Sequence, residues 1–497
     1  MKRTLALFLF ATACSSQTAT LDDEDTTDVV ISDLSAPVGG TWAPLKNQPP
    51  VGVGVAILLR DGSVMAQELM TPNWYKLTPT RAGSYRNGTW RQLASMPSDY
   101  GPLYYASGVL PDGRVILMGG EYNLGSQEWT NKGAIYDPKK NVWTAVAAPT
   151  GWANIGDAQS VVLPNGRFML ANALTSQAAT LDPTTLTWTE SDGTGKADGH
   201  DEEAWTLLWN GKLLTVDCNV QNMGSELYTY TSGTWVSGGS TKVQLSDLGS
   251  STDSHEIGPA ALRPDGTVFV AGATGHNSVY DSIARTWTAA PDFPLVGGQQ
   301  LDIADGPSAV LPNGNILMAA SPGVFQTGTR FFEWDGKALT EVATVPNAVN
   351  DSSYQQSMLV LPTGEIMLTD QSAQVMLYTG RTADTSGWAP VIETAPTTFA
   401  HASTISISAL RANGVTQGAG YGDDGQTSTN YPIVRITNVG TGHVRFAYTR
   451  GQSSSTSKPT AVVSFKADIP STIELGASRL EVIANGVASA PVNVTVD

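Results

Sequence analysis

Seven times along the chain an apolar run meets a short polar turn containing glycine, and a second apolar run follows. The copies are VAILLRDGSVMA, SGVLPDGRVILMGG, SVVLPNGRFMLA, TLLWNGKLLTV, AALRPDGTVFVAG, SAVLPNGNILMA and LVLPTGEIMLTD. Their turn glycines are Gly62, Gly113, Gly166, Gly211, Gly266, Gly314 and Gly364, in steps of 45 to 55 residues. Asp-Gly and Asn-Gly pairs supply the left-handed backbone that a tight hairpin needs. Runs that are apolar at nearly every position predict strands buried on both faces.

A second mark follows the hairpins. Tyr136-Asp137 begins seven residues before Trp143, and the same distance separates Leu181-Asp182 from Trp188 and Tyr280-Asp281 from Trp287. Looser versions end at Trp90, Trp235 and Trp388. Each aromatic predicts an outer strand. Four strands per copy and a period of about 50 residues predict a kelch-type β-propeller of seven blades over residues 40–390. A stack of sandwiches fits less well, since one such unit cannot close a sandwich alone. Trp42, in GGTWAPL, is a further outer-strand mark, and the sequence leaves open whether Trp42 or Trp388 closes the ring. From about residue 391 to 497 the pattern changes to alternating strands (ISISAL, YPIVRITNV, HVRFAYTR, AVVSFKA, RLEVIAN, PVNVTV) between Gly/Ser/Asn turns. This predicts an immunoglobulin-like β-sandwich and completes an all-β fold class.

Before the first copy, MKRTLALFLFATACSS has two basic residues, an apolar stretch too short to span a bilayer, and small residues ahead of Cys14. It reads as a lipoprotein-type signal over 1–13 with lipid on Cys14; plain secretion is the alternative. Residues 14–39 are acidic and aperiodic and read as a tether. The expected location is the outer membrane or cell surface, with membrane contact through the lipid alone and a monomeric chain. The net charge of −17 argues against nucleic acid. With Cys14 lipidated or removed, Cys218 is the single thiol, so no intrachain disulfide forms.

Propeller loops that lead into the innermost strands form a concave rim, the usual place for binding. Nine residues before each turn glycine stand Val53, Tyr104, Asp157, Glu202, Ile257, Asp305 and Gln355. Ten before stand Asp201, Glu256 and Tyr354, and eleven before stand His200 and His255. The expected ligand-binding rim is Asp157, Glu202, Asp305, Tyr354 and Gln355, with His200, Asp201, His255 and Glu256 as candidate metal ligands. Mixed His and carboxylate donors suit zinc or manganese, and carboxylates alone suit calcium. Against this stands the plain reading that the acids cap backbone N–H groups and the histidines hydrogen-bond across blades. GYGDDG, residues 420–425, reads as a turn, because it lacks the alternating oxygens of an EF-hand loop.

GAGYGDDGQTSTNYPIVRIT and the ending FKADIPSTIELGASRLEVIANGVASAPVNVTVD, placed after the propeller pattern, resemble the galactose oxidase and glyoxal oxidase group. The resemblance implies a kelch propeller with a C-terminal immunoglobulin-like domain. It also implies a copper ion and a cysteine-crosslinked tyrosyl radical that oxidise alcohols or aldehydes and reduce O₂ to peroxide. The family positions fall here on Tyr104, Asp157, Tyr354, Gln355 and Arg450. Tyr354 retains its family type, whereas Gln355 and Arg450 stand where the resemblance implies imidazole, and neither an amide nor a guanidinium is a good copper ligand. Cys218 lies beyond its hairpin turn, away from the rim. The expectation is therefore a non-catalytic propeller that binds carbohydrate or a surface protein, with copper disfavoured and a divalent cation (calcium, zinc or manganese) as the candidate cofactor. The alternatives are a copper-radical oxidase, or another carbohydrate-active enzyme using paired acids such as Asp157 with Glu202 or Glu256 with Asp305.

Overall fold

The computed structural model describes residues 39–249 and 254–497; the signal, Cys14 and nearly all of the tether lie outside them. Among the described residues no helix is long and apolar enough to cross a membrane. Seven antiparallel sheets of four strands, one of them extended by a fifth, carry the repeated hairpins. The first consists of Val53–Leu58, Val64–Glu68, Trp74–Thr78 and Thr89–Gln92, in that order. The central strands are as apolar as their sequence requires: Val115–Met118, Phe168–Ala171 and Ile366–Thr369 are buried at every position. All seven turn glycines have φ between 74° and 91°, a region that costs a residue with a Cβ about 1 kcal/mol or more.

Outer-strand aromatics lie opposite their predicted partners, as in Tyr136↔Trp143, Leu181↔Trp188 and Tyr280↔Trp287. Their indoles join successive sheets. The Nε1 of Trp90 donates to Asn47 O (3.1 Å), Trp143 to Ala94 O (3.0 Å), Trp188 to Ala147 O (2.8 Å) and Trp287 to Gly238 O (3.1 Å). Closure falls to Trp42. Thr41–Pro44 pairs antiparallel with Met376–Thr379 as the outer strand of the last sheet, and Trp42 Nε1 donates to Ala343 O (2.7 Å) in the sheet before it. Trp388 lies outside the last sheet's four strands, and its Nε1 donates to Pro312 O (3.2 Å).

The C-terminal strands form two hydrogen-bonded layers that share Val444–Arg450, whose first half pairs with Ile433–Asn438 and whose second half pairs with Val462–Asp468. They enclose a core of Ile407, Val434, Ala447, Phe465, Leu480 and Val482. This part packs with the sheets in one compact unit. Its segment from Val415 to Tyr431 reaches in among the innermost strands. Val415 O accepts from Trp209 Nε1 (2.7 Å), Gln417 N donates to Leu262 O (3.1 Å), and Ala419–Gly420 adds a strand to Ser308–Val310. Gln426 O accepts from Ser107 Oγ (3.0 Å), Thr427 Oγ1 donates to Met358 O (2.8 Å), and Tyr431 OH donates to Leu58 O (2.6 Å). One segment thus satisfies groups on six of the seven sheets.

Candidate functional site

At the inner end of that segment lies a concentration of carboxylates. One oxygen each from Asp157, Glu202 and Asp423 lies within 4.8 Å of the others, and the same holds for Glu202, Glu256 and Asp305. Glu202 belongs to both groups. Asp424 faces Asp305 and Asp157. Each acid reaches the centre for a local reason. Glu202 and Asp305 have positive φ (59° and 51°), which turns the chain just before the innermost strand and aims the side chain inward. Such strain of about 1–3 kcal/mol is typical of binding sites. Asp423 and Asp424 arrive on the inserted segment, held by Asp424 N donating to Asp423 Oδ1 (2.8 Å) and Gln426 N to Asp424 O (2.6 Å). Gly422 allows the approach: a Cβ there would stand 2.2 Å from Asp305 Oδ1 and 3.0 Å from the Ile257 carbonyl.

Burial pushes the carboxyl groups of Asp157, Glu202, Glu256, Asp423 and Asp424 well above the usual range, and mutual repulsion pushes them further. Asp305 rises to about 7, chiefly by burial, while its contact with Glu256 lowers it and raises Glu256. The principal charges felt by these six side chains are other carboxylates. Two ionised carboxylates 4.8 Å apart repel by about 3.5 kcal/mol at an effective dielectric of about 20. They cannot all ionise together without a positive charge among them.

Around this floor is a half-buried mouth of Glu121, Tyr122, Asp201, His255, Tyr354 and Gln355. Tyr104, also of positive φ (52°), stacks on Tyr421 with 6.3 Å between centroids and meets Tyr122 edge-on at 6.2 Å. Tyr354 meets Phe325 edge-on at 5.4 Å, and its carbonyl accepts from Tyr421 OH (2.6 Å).

Several sequence expectations change here. Asp157 and Glu202 are buried floor groups, not an open rim. Gln355 is occupied locally: its Oε1 accepts from Ser352 N (2.9 Å), capping the 3-10 turn Ser353–Gln355. Among the described residues, neither histidine joins a carboxylate group that could hold an ion. His200 is fully buried between Trp205 (5.3 Å) and Trp235 (5.6 Å), with burial and the nearby Lys196 pushing its pKa well below the ordinary value. His255 Nδ1 hydrogen-bonds Asn219 Oδ1 (2.8 Å). Arg450 is engaged elsewhere, bidentate to Asp468 (2.9 Å for each bond). Cys218 is buried with Sγ 3.4 Å from Val216 O, and burial raises its thiol pKa. GYGDDG is more than a surface turn, since Tyr421, Asp423 and Asp424 are all buried at the centre.

A second acidic group lies behind the fourth sheet: Asp198, Glu203, Asp217 and Glu226. Here the chain supplies the counter-charge. Lys196, with no exposed side-chain surface, has Nζ 2.6 Å from both Glu203 and Glu226 and bonded to Asp198. Burial alone disfavours the ammonium, but these three carboxylates hold its pKa well above the ordinary lysine value.

Comparison with known proteins agrees with the architecture. The model of the Kelch motif matches residues 102–150. Kelch-like protein terF of Aspergillus terreus (strain NIH 2624 / FGSC A1156) is 24% identical over 318 residues, which is 57% of this chain and 67% of that protein. A fungal alcohol oxidase of the AA5 family, solved in complex with copper, superposes with a TM-score of 0.51 at 15% identity, covering 92% of this chain and 99% of that one. A catalytically inactive variant of virginiamycin B lyase from Staphylococcus aureus, solved with quinupristin, gives 0.49 at 10% identity, covering 68% and 99%. The repeats, the sheets, the Kelch-motif match and the likeness to terF give the chain a kelch-repeat β-propeller fold, similar to that of the fungal AA5 alcohol oxidase.

Proposed function

We propose that this chain is an exported, lipid-anchored binding protein of the cell surface. In this reading the seven sheets are blades of one propeller, the C-terminal layers are an immunoglobulin-like sandwich, and the mouth takes a carbohydrate or protein ligand. The observation that carries the reading is the donor set of the centre. The acids and phenols gathered there offer oxygen alone, without the imidazole and thiolate that hold and tune copper. The residues do not fit a copper centre: Gln355 caps a turn, Arg450 pairs with Asp468, and Cys218 is buried in the fourth sheet's core. The mouth instead pairs aromatic faces (Tyr122, Tyr354, Phe325) with carboxylates (Glu121, Asp201), a combination suited to hydroxyl-rich or cationic ligands. Kelch repeats in general mediate protein interactions.

The test is a glycan and peptide array probed with the purified full chain. Binding that Tyr354→Ala and Tyr122→Ala each weaken tenfold or more supports the reading. Peroxide release from alcohols or aldehydes by the copper-loaded chain overturns it. The close approach of Glu256 and Asp305, with one oxygen of each within 4.8 Å of the other, favours one second reading, acid/base chemistry on a glycan. Hydrolysis abolished by Glu256→Gln would establish that reading instead.

A further inference from the structure

The two acidic groups differ in what balances them. The one behind the fourth sheet contains Lys196. The one at the centre is built from Asp157, Glu202, Glu256, Asp305, Asp423 and Asp424, and the principal charges these acids feel are carboxylates, their own and those of Glu121, Asp201 and Asp247. A separate observation concerns their oxygens. Asp157 Oδ1, Glu256 Oε2, Asp423 Oδ2 and Asp424 Oδ2 have no hydrogen-bond partner among the described residues. These side chains are only 9%, 4%, 3% and 1% exposed. A buried, unpartnered carboxylate oxygen is costly to a fold. Four at one place, on the approaches to two different strands and on one inserted segment, mark a position for a cation.

We propose that this centre is a site for a hard divalent cation of the calcium class, coordinated jointly by the propeller and the inserted segment. Oxygen-only donors select calcium over zinc or copper, which favour nitrogen and sulfur. The ion's role follows from the geometry. Asp423 and Asp424 belong to the C-terminal part, and Asp157, Glu202, Glu256 and Asp305 to four successive sheets. Coordination therefore pins the inserted segment to the ring and fixes the floor of the mouth. The inference rests on the proposed function only in placing a ligand above that floor. The two fail separately, because array binding reports on the mouth and calcium uptake on the floor.

The experiment uses the purified full chain, stripped with chelator and then given calcium chloride alone. The expected result is at least one calcium retained per chain through gel filtration. Thermal unfolding should rise by about 3 °C with calcium at about 100 times its Kd. Hydrogen exchange over residues 419–427 should slow on addition. Asp424→Asn is expected to unfold at higher temperature than the wild-type chain under chelator, since it relieves repulsion, and to lose at least half of the calcium-induced rise. This pair of opposite effects separates ligation from a merely structural carboxylate, which would lower stability and leave the calcium response intact. Glu202→Gln is the second variant, expected to abolish retention. Retention of no calcium by the wild-type chain, retention of zinc alone, or an unchanged calcium response in both variants overturns the proposal.

Discussion

Residues 201 to 203 are three acids in a row, and they serve two different places. Glu202 points into the centre, while Glu203 and the adjacent His200 turn into the core of the fourth sheet beside Lys196. Both places bury several carboxylates within a few ångströms. One is internally compensated by an ammonium that the sequence always supplies. The other gathers side chains from four sheets and a distant segment, and the principal charges they meet among the described residues are those of other acids. The lesson is that burial of acids by itself says little; the identity of the counter-charge separates a structural ion cluster from a candidate binding centre.

The comparison breaks first at Lys196. Lys196→Met strands three buried carboxylates and should cost about 3–5 kcal/mol, read as a shift in the urea midpoint; a change below about 1 kcal/mol would mean that the acids there are already neutral. Next comes a difference in sign. Under chelator, Asp424→Asn is expected to stabilise by about 1–2 kcal/mol, while Glu226→Gln, which gives up its charge contact with Lys196, should destabilise by about 1–3 kcal/mol. Equal signs would erase the distinction between the two groups. Gly422→Ala sharpens the same point sterically. It pushes on Asp305 and the Ile257 carbonyl, with an expected loss of about 1–3 kcal/mol by denaturation and a weaker calcium response.

The smallest effect belongs to an acid at the surface. Burial nudges Asp468 upward, but hydrogen bonds from Arg450, Lys139 and Thr404 outweigh it and hold its pKa well below the ordinary value. A folded-state pKa below the unfolded value of about 3.9 means stability that is complete above about pH 5 and lost as pH falls through the folded pKa. For a partly exposed pair this amounts to less than about 1 kcal/mol. Asp468→Asn should therefore flatten the acid side of the stability profile slightly, measured as urea midpoints at about pH 6 and about pH 3.

Much of the ring was legible because the repeat is local. Turn glycines, double-buried hairpins and outer-strand aromatics all follow from spacing within about 50 residues. The count of nine before each glycine also located Tyr104, Asp157, Glu202 and Asp305. What spacing did not carry was direction. The histidines share one offset, yet the left-handed backbone at Glu202 and at His255 redirects the chain, and His200 ends between two tryptophans. The inserted segment escaped for another reason. Gly422 meets Asp305 across more than a hundred residues, and no periodicity announces such a contact. Its signal was chemical: two adjacent acids flanked by glycines, beside tyrosine, in a stretch without charge partners of its own. Closure of the ring was open for the same reason, since Trp42 and Trp388 carry equal local marks and only pairing across the whole chain separates them.

That pairing has a consequence for how the molecule comes into being. Thr41–Pro44 leaves the ribosome before any hairpin of the propeller, yet its partner strand, Met376–Thr379, is synthesised more than three hundred residues later. Contacts of such separation form slowly, because the loop they close must be ordered first. The strand Thr41–Pro44 therefore waits, an unpaired edge, until the last propeller sheet has been made, and the circle locks in a step that joins the first and last stretches of the ring.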